Sequence, residues 1–557
     1  MFFYKTDKLE QQYLFYIILC IVVYIIGSIT VPLMEIDSVQ YANISREMLL
    51  NKSFLQIFDQ GKDYLDKPPL LFWVSALSMY IFGINDIAFR LPSILMAVLA
   101  IYSTYKFTIL YYSKEIALLA ALVLASSQAM FLITHDLRTD TMLMAWVILG
   151  IWQFSSWLFT KKWISLITAF VAVAFGMMTK GPIALMVPIF SFVPHFLIHR
   201  NFKLLFKWEY LVGVIIILVL LIPMDIGLYQ QFDLHPEKVM YEKTGTSGLR
   251  FFYWTQSFGR ITGESVWHEN DHFLFLFENL LWGFLPWILF FIIGLVLELY
   301  TILKNKFRIQ SHEEWISIPG FLITYTALGI SNYQLPHYIY VVLPFVSIIA
   351  AKSIYSLITV NENKILKNII SVINSILFSL VLCILFVLLV IPFGLNYYLI
   401  SITVLIFIII FGYSIYKQKQ LIPNTIHFAL FTILITNLLL NVFFYPKLLE
   451  YQLGNSVTKY INTKKIDKNN FYLYKIYGER SLDFYSNYSF QIVDDEKALK
   501  PADYLLISNK LITKDLLTKF NTIETIAAFH VSTLNAKFLN PKTRNSALDY
   551  YYILQKK

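Results

Sequence analysis

Runs of about twenty apolar residues recur along most of this 557-residue chain, and a helix needs that length to cross the hydrocarbon of a bilayer. Composition agrees with this constraint. Hydrophobic residues make up 57% of the chain and charged residues only 15%, whereas a soluble protein carries about a quarter charged residues. The sequence therefore predicts a polytopic α-helical membrane protein.

The apolar runs predict about thirteen transmembrane helices by the usual hydropathy criteria. A further apolar segment, 69–82, is short, and we expect it to lie on the outer membrane surface as an interfacial helix. The predicted spans are 11–33, 88–111, 115–134, 140–159, 163–179, 182–198, 209–224, 274–303, 314–331, 337–356, 369–392, 396–416 and 424–444.

The distribution of Lys and Arg gives the orientation. With the N-terminus inside, the cytoplasmic connections carry the basic residues near 114, 161–162, 200–207, 304–308, 352–367 and 417–419, while the outer loops near 332–338 and 393–398 carry none. Cytoplasmic loops are enriched in Lys and Arg, so this orientation is favoured over its inverse. The net charge of +9 is thus a topology signal, and no nucleic-acid partner is expected.

The character of the chain changes after Tyr445. Residues 446–557 are polar, with short strand-sized runs at 471–474 and 504–507, and this alternation predicts a small α/β domain. An odd number of spans places the domain outside. We therefore expect two domains, a transmembrane domain at 1–445 and a periplasmic domain at 446–557, in a multi-pass protein of a bacterial inner membrane.

Acids and bases cluster where the predicted spans meet the outer surface. Charged side chains are costly close to a bilayer, so such a cluster is a functional-site hypothesis. Each part of the cluster also has a simpler structural interpretation. Asp37 could cap the N-terminus of a helix, and residues 66–69 could form a turn that starts a helix. Arg138 and Asp140 could form a surface ion pair, and residues 179–182 could form a hairpin between helices. The outer histidines, His268 and His272 among them, lack a convincing metal-ligand spacing. The outer cluster contains Asp37, Asp66, Lys67, His135, Asp136, Arg138, Asp140, Lys180, Tyr333, Gln334, His337 and Tyr338.

A set of ordered motifs within residues 11–350 resembles the protein O-mannosyltransferase-like family of GT-C-type glycosyltransferases, and most of all its branch containing the lipid A aminoarabinose transferase. The first-loop motif is the most specific, and the others support it by order and spacing. The motifs are Asp37 with Tyr41-Ala42 and Arg46-Glu47-Met48, Asp66-Lys67-Pro68-Pro69-Leu70, Arg90-Leu91-Pro92-Ser93, Arg138-Thr139-Asp140, Lys180-Gly181-Pro182, Phe258-Gly259-Arg260, Leu285-Pro286-Trp287 and Leu335-Pro336-His337-Tyr338.

The resemblance implies transfer of a sugar from a polyprenyl-monophosphate donor to a lipid, glycan or protein acceptor at the outer membrane surface. Cations at the departing phosphate would stabilise the transition state, and Lys67 and Arg260 are the candidates. Asp37 would act as general base on a hydroxyl acceptor, or orient a phosphate acceptor. Asp140 is expected to pair with Lys67 or hold the sugar. Tyr338, with Tyr41, Asp66 and Arg138, is expected to bind the donor, whose prenyl tail would lie in an apolar groove.

The chain departs from the family pattern at three positions. Ser38 stands where the family often has Glu. In the aminoarabinose branch a Glu precedes the first-loop Lys and a His lies three residues before the long-loop Arg, whereas this chain has Asp66 and Ser257. Those two side chains are associated with a metal in that branch. A divalent metal therefore stays open as an alternative that the family ligand positions do not support, and no other cofactor is assigned.

Several functions remain as alternatives. Within the enzyme class they are aminoarabinose transfer to lipid A phosphate and protein O-glycosylation. A transporter or lipid flippase would place ionisable groups at mid-span and show internal repeats. This chain keeps its charges at span ends and shows no repeat, so a glycosyltransferase is favoured.

The predicted topology can be tested with a reporter enzyme that is active only outside the cytoplasm. Fused after Tyr445, it is expected to be active, because an odd number of spans brings the chain outside at that point. The same reporter fused in the basic loop at 200–207 is expected to be silent. A silent fusion after Tyr445 would contradict the orientation.

Overall fold

The computed structural model is mostly helical and describes residues 2–265, 267, 272–307, 313–359, 364–394, 397–417 and 424–557. The first helix, α1 (Phe2–Thr30), leads into the loop that the sequence predicts to face outward, here named the outer loop, which carries much of the predicted site. This loop contains α2 (Asp37–Asn51), a two-stranded hairpin of β1 (Phe58–Asp59) and β2 (Lys62–Asp63), and the apolar helix α3 (Leu70–Phe82).

A series of antiparallel helices follows. Helices α7 and α8 lie side by side, and α4 packs against both α5 and α7. The helices are α4 (Asp86–Tyr111), α5 (Lys114–Ala125), α6 (Gln128–His135), α7 (Thr139–Thr160), α8 (Trp163–Lys180), α9 (Ile183–Ile198) and α10 (Glu209–Leu228).

The long loop after α10 is built from short elements, and the remaining apolar helices follow it. The short elements are the hairpin β3 (Val239–Met240) and β4 (Lys243–Thr244), α11 (Gly248–Arg250) and α12 (Gly259–Thr262). The apolar helices are α13 (Phe275–Gly283), α14 (Ile288–Lys304), α15 (Ser317–Gly329), α16 (Leu343–Thr359), α17 (Lys364–Val390), α18 (Tyr397–Lys417), α19 (Asn424–Leu439) and α20 (Tyr445–Leu449).

Each predicted span coincides with a helix or a pair of helices, so the multi-pass membrane fold is confirmed. In the described part of the chain, eight helices are long and apolar enough to cross a membrane, or nine if the bent pair α5 and α6 forms one span. The larger predicted count of about thirteen spans is not confirmed. Part of the difference arises from shorter and interrupted helices: α9 has 16 residues, and the predicted span 274–303 is divided between α13 and α14.

A buried guanidinium ties the outer loop to the helices below it. Arg90, at the start of α4, is fully buried and donates to four backbone carbonyl oxygens. Its Nε lies 2.9 Å from the carbonyl of His135, and its Nη atoms lie 3.1, 2.6 and 3.0 Å from the carbonyls of Ser28, Val31 and Pro32. These contacts satisfy carbonyls at the end of α1 and α6 that have no partner within their own helix.

The C-terminal segment contains a small α/β unit with a five-stranded sheet, as the strand-sized runs indicated. The strand order is β6-β5-β7-β9-β8, with β5 parallel to both β6 and β7 and the remaining pairs antiparallel. The elements are α21 (Leu453–Lys464), β5 (Phe471–Tyr474), α22 (Arg480–Ser486), β6 (Gln491–Val493), β7 (Tyr504–Ser508), α23 (Lys514–Lys519), β8 (Phe520–Ala528), α24 (Ala536–Leu539) and β9 (Asp549–Lys556).

Two carboxyl groups meet where this unit contacts the outer loop. Burial raises the pKa of Glu479 to about 8, and the Glu35 carboxyl contributes to this shift. Burial also raises the pKa of Glu35 to about 7, although the backbone amide of Ser481 opposes the shift. The folded state therefore holds these protons more tightly than the unfolded chain, where the ordinary value is 4.5.

The contact is consequently expected to be pH-dependent. The two protonated carboxyl groups contribute fully to the free energy of unfolding below pH 4.5. This contribution is lost as the pH rises through 7 to 8, because both groups must then ionise in a buried position. The melting temperature of the detergent-purified protein should fall between pH 6 and pH 9. Glu479→Gln should flatten this fall, whereas Glu524→Gln, at an exposed position on β8, should not. An unchanged slope in Glu479→Gln would refute the assignment.

Candidate functional site

A cavity of about 140 Å³ is lined by three cationic side chains from three separate segments. Lys67 comes from the loop before α3, Lys180 is the last residue of α8, and Arg260 lies in α12. Tyr338, in the 3-10 segment Pro336–Val342, also lines the cavity, together with the polar residues Gln256, Ser257 and Ser331. The structure thus brings together Lys67, Arg260 and Tyr338, which were predicted as site residues, and adds Lys180, to which no role was assigned from sequence.

Asp140 pairs with Lys180, so the expected pair of Asp140 with Lys67 is wrong. Helices α7 and α8 are antiparallel neighbours, and the first turn of one therefore lies level with the last turn of the other. The Asp140 side chain is 1% exposed. Its second oxygen, Oδ2, lies 3.7 Å from Nε2 of His337 and has no hydrogen-bond partner in the described part of the chain.

Lys67 is flanked by Asp66, with 3.6 Å between Nζ and Oδ2. Burial lowers the pKa of Lys67, but the Asp66 carboxylate and the other acidic neighbours outweigh it, and the net shift is upward from 10.5. Lys67 therefore stays protonated at neutral pH. The side-chain amide of Gln256 donates to the backbone carbonyl of Asp66 and fixes the loop at this point.

Arg260 sits in an aromatic enclosure. Its Nη1 donates to the hydroxyl of Tyr338 at 2.7 Å. The guanidinium carbon lies 5.2 Å from the ring centroid of Tyr333, 5.5 Å from that of Tyr338 and 5.7 Å from that of Trp267, distances typical of cation–π contact. The aromatic rings orient the planar guanidinium group of Arg260 but carry no negative charge that would neutralise it. The guanidinium can therefore bind an anion in the cavity.

Asp37 and Arg138 form a second group beside the cavity. Arg138 bonds both Asp37 and Asp136, with 3.0 Å from its Nη2 to Asp136, and does not pair with Asp140 as the ion-pair interpretation required. Burial lowers the pKa of Arg138, but the two carboxylates outweigh it and the net shift is upward. Asp37 is the first residue of α2 and makes no cap bond there, because the N-cap position is Ile36.

Tyr41 lies away from the cavity wall. It is 2% exposed and packs against Phe72, with 5.7 Å between the ring centroids. The structure therefore places it in the apolar core under the outer loop, and not among the residues that line the cavity.

The residues at the metal-associated positions do not fit a metal ion. Asp66 supplies one carboxylate, but it lies beside the protonated Lys67, and Ser257 offers only a hydroxyl. Within the described residues, no three His, Cys, Asp or Glu side chains lie close enough to hold a metal. Of the histidine pair considered from sequence, His268 lies outside the described residues. We derive no catalytic step through a metal.

The fold defines a multi-pass helical membrane protein with a small C-terminal α/β unit. The same fold is seen in the crystal structure of ArnT from Cupriavidus metallidurans bound to undecaprenyl phosphate. The two structures align with a TM-score of 0.70 over 92% of this chain and 96% of that chain, at 16% sequence identity.

Residues 66–226 match the model of the dolichyl-phosphate-mannose-protein mannosyltransferase family, which confirms the resemblance inferred from the motifs. The chain is also similar to two undecaprenyl phosphate-α-4-amino-4-deoxy-L-arabinose arabinosyl transferases. The one from Erwinia tasmaniensis is 28% identical over 264 residues, covering 45% of this chain and 44% of that protein. The one from Proteus mirabilis is 24% identical over 319 residues, covering 56% and 53%. The chain spans about half the length of these relatives.

The buried pair of Lys180 and Asp140 gives a stability prediction. Lys180→Met should lower the free energy of unfolding by about 3–5 kcal/mol, because it leaves the Asp140 carboxylate buried without its partner. The double variant Lys180→Met/Asp140→Leu should recover most of this loss, since no buried charge remains. Melting temperatures of the purified variants measure both effects. A double variant as unstable as the single one would show that the ion pair is not the cause.

Proposed function

We propose that this protein is a glycosyltransferase that moves a sugar from a polyprenyl-monophosphate donor to an acceptor on the outer face of the inner membrane. The observation that carries the proposal is the cavity in which Lys67, Lys180 and Arg260 face one space. Three cations around a small cavity match a phosphate group. Apolar side chains, including Leu143, Met186 and Phe190, form another part of the wall and suit the start of a prenyl tail.

The cations act on the leaving group. As the bond between the anomeric carbon and the phosphate oxygen breaks, positive charge develops on the sugar and negative charge on the departing polyprenyl phosphate. Fixed cations stabilise that negative charge more in the transition state than in the ground state. Arg260 binds phosphate oxygens through its fork, while Lys67 and Lys180 act as point charges.

Asp37 acts on the acceptor molecule that receives the sugar. Its side chain is 30% exposed, so an acceptor can reach it, and Arg138 fixes the orientation of the carboxylate. With a hydroxyl acceptor, Asp37 takes the proton as the acceptor oxygen bonds to the anomeric carbon. With a phosphate acceptor, which has no such proton to lose, Asp37 orients the reacting groups. In this scheme Asp140 acts through Lys180 and is a positioning residue.

The names of the relatives favour 4-amino-4-deoxy-L-arabinose as the sugar and undecaprenyl phosphate as the carrier. Lipid A phosphate is the acceptor we propose with that sugar, and protein O-glycosylation is the alternative. The same proposal places the protein in the inner membrane with the site facing outward. It also divides the chain into a transmembrane domain at 1–445 and a periplasmic domain at 446–557.

The proposal can be tested with purified protein, undecaprenyl-phosphate aminoarabinose and lipid A, with products followed by mass spectrometry. Lys67→Ala and Asp37→Asn should each reduce transfer by about 100-fold or more, because each removes a group that acts on the reacting centre. Lys62→Ala, at an exposed lysine of the same loop, is the matched control and should retain full activity. Full activity in both site variants would refute the site. If the wild-type protein modifies a Ser/Thr peptide and not lipid A, the acceptor assignment is wrong.

A further inference from the structure

The α/β unit reaches into the outer loop through α22. Phe484, on this helix, is 4% exposed and belongs to the apolar cluster that also contains Val39 and Tyr41 of α2. Helix α22 packs directly on α2, the helix that begins with Asp37. The C-terminal unit therefore forms part of the packing that supports the proposed base.

Arg480 makes the most directed contact across this junction. Its Nε lies 3.1 and 3.0 Å from the two carboxylate oxygens of Asp59, and its Nη2 lies 2.6 Å from Oδ2. The side chains are 20% and 10% exposed, so water screens the pair only weakly. A forked contact of this kind fixes both the distance and the orientation of the carboxylate.

The same carboxylate holds α2. The side-chain amide of Gln40 donates to Oδ2 of Asp59 at 2.7 Å. Gln40 lies three residues after Asp37, so the two side chains are neighbours on one helix face. Arg480 is thus connected to the first turn of α2 through a single carboxylate.

Two further contacts hold the chain just before Asp37. The backbone amide of Ser481 donates to Oε1 of Glu35 at 2.8 Å. The hydroxyl of Tyr485 accepts from the backbone amide of Leu33 at 2.6 Å. The segment that leads into the proposed base is therefore held at two points by α22.

We propose that Arg480 is a positioning residue for the transfer reaction: through Asp59 and Gln40 it holds the first turn of α2 so that Asp37 stays against Arg138. This inference rests on the proposed function. It makes the C-terminal unit part of the catalytic apparatus. The donor phosphate site is formed by Lys67, Lys180 and Arg260, whose ion-pair and hydrogen-bond partners in the described part of the chain, Asp66, Asp140 and Tyr338, all lie outside α22.

The kinetic test separates positioning from donor binding. Arg480→Ala should lower kcat by about 10- to 100-fold, since a displacement of the base by about 1 Å costs that much. KM for undecaprenyl-phosphate aminoarabinose should stay within about twofold of wild type, because the phosphate site is untouched. Lys510→Ala removes an exposed ion pair with Asp549 in the same α/β unit and is the matched control, expected to behave as wild type.

Coupling through Asp59 is tested by combined variants. Arg480→Ala/Asp59→Ala should be no slower than Asp59→Ala alone, because Arg480 acts only through Asp59, and the exchange Arg480→Asp/Asp59→Arg should recover activity relative to either single change. Fully additive losses in the double alanine variant, or a rise in KM with unchanged kcat, would overturn the proposal.

A readout that needs no activity completes the test. Hydrogen exchange followed by mass spectrometry should show faster exchange of the α2 amides in Arg480→Ala and unchanged exchange in Lys510→Ala. Unchanged α2 exchange in Arg480→Ala would refute the coupling. Faster α2 exchange in that variant, together with an inactive wild-type protein, would instead support the coupling and refute the proposed function.

Discussion

The arrangement of the outer loop depends on the hydrogen bonds of the Arg90 guanidinium. A charged group buried in a helical membrane domain is costly unless its donors are satisfied, and here four backbone carbonyls accept from it. Three of these carbonyls lie at or just after the end of α1, and the fourth belongs to His135 at the end of α6. One side chain thus joins two chain segments that are far apart in sequence and fixes where each leaves its helix.

Those two segments carry the second group of the site. Asp37 follows the α1 exit by a few residues, and Arg138 follows His135 by three. Their mutual ion pair exists because both chain exits are held at one point. Helix α22 supports the same loop through Asp59 and Glu35. The proposed base is therefore held both by the contacts of Arg90 and by those of α22.

The site was only partly predictable from sequence. The cluster at the predicted span ends contained Lys67 and Tyr338, and the family resemblance added Arg260; all three line one cavity. The partner of Asp140 was assigned wrongly, because residues 140 and 180 come level only through the antiparallel packing of α7 and α8. Lys180 could have been predicted as a site residue because it is a cation at the end of an apolar helix, on the side predicted to face outward. Its sequence motif, however, was also compatible with a simple hairpin.

Sequence by itself determined the membrane class, the positions of the apolar helices and the presence of a C-terminal α/β unit, because bilayer thickness and backbone periodicity impose length and pattern on any chain. Only the tertiary structure decided which charged groups meet. It pairs Arg138 with Asp37, encloses Arg260 in aromatic rings and connects Arg480 to α2 through Asp59. The physical reason is that such contacts join residues separated by up to several hundred positions, and helix packing, which local pattern does not encode, sets their distances.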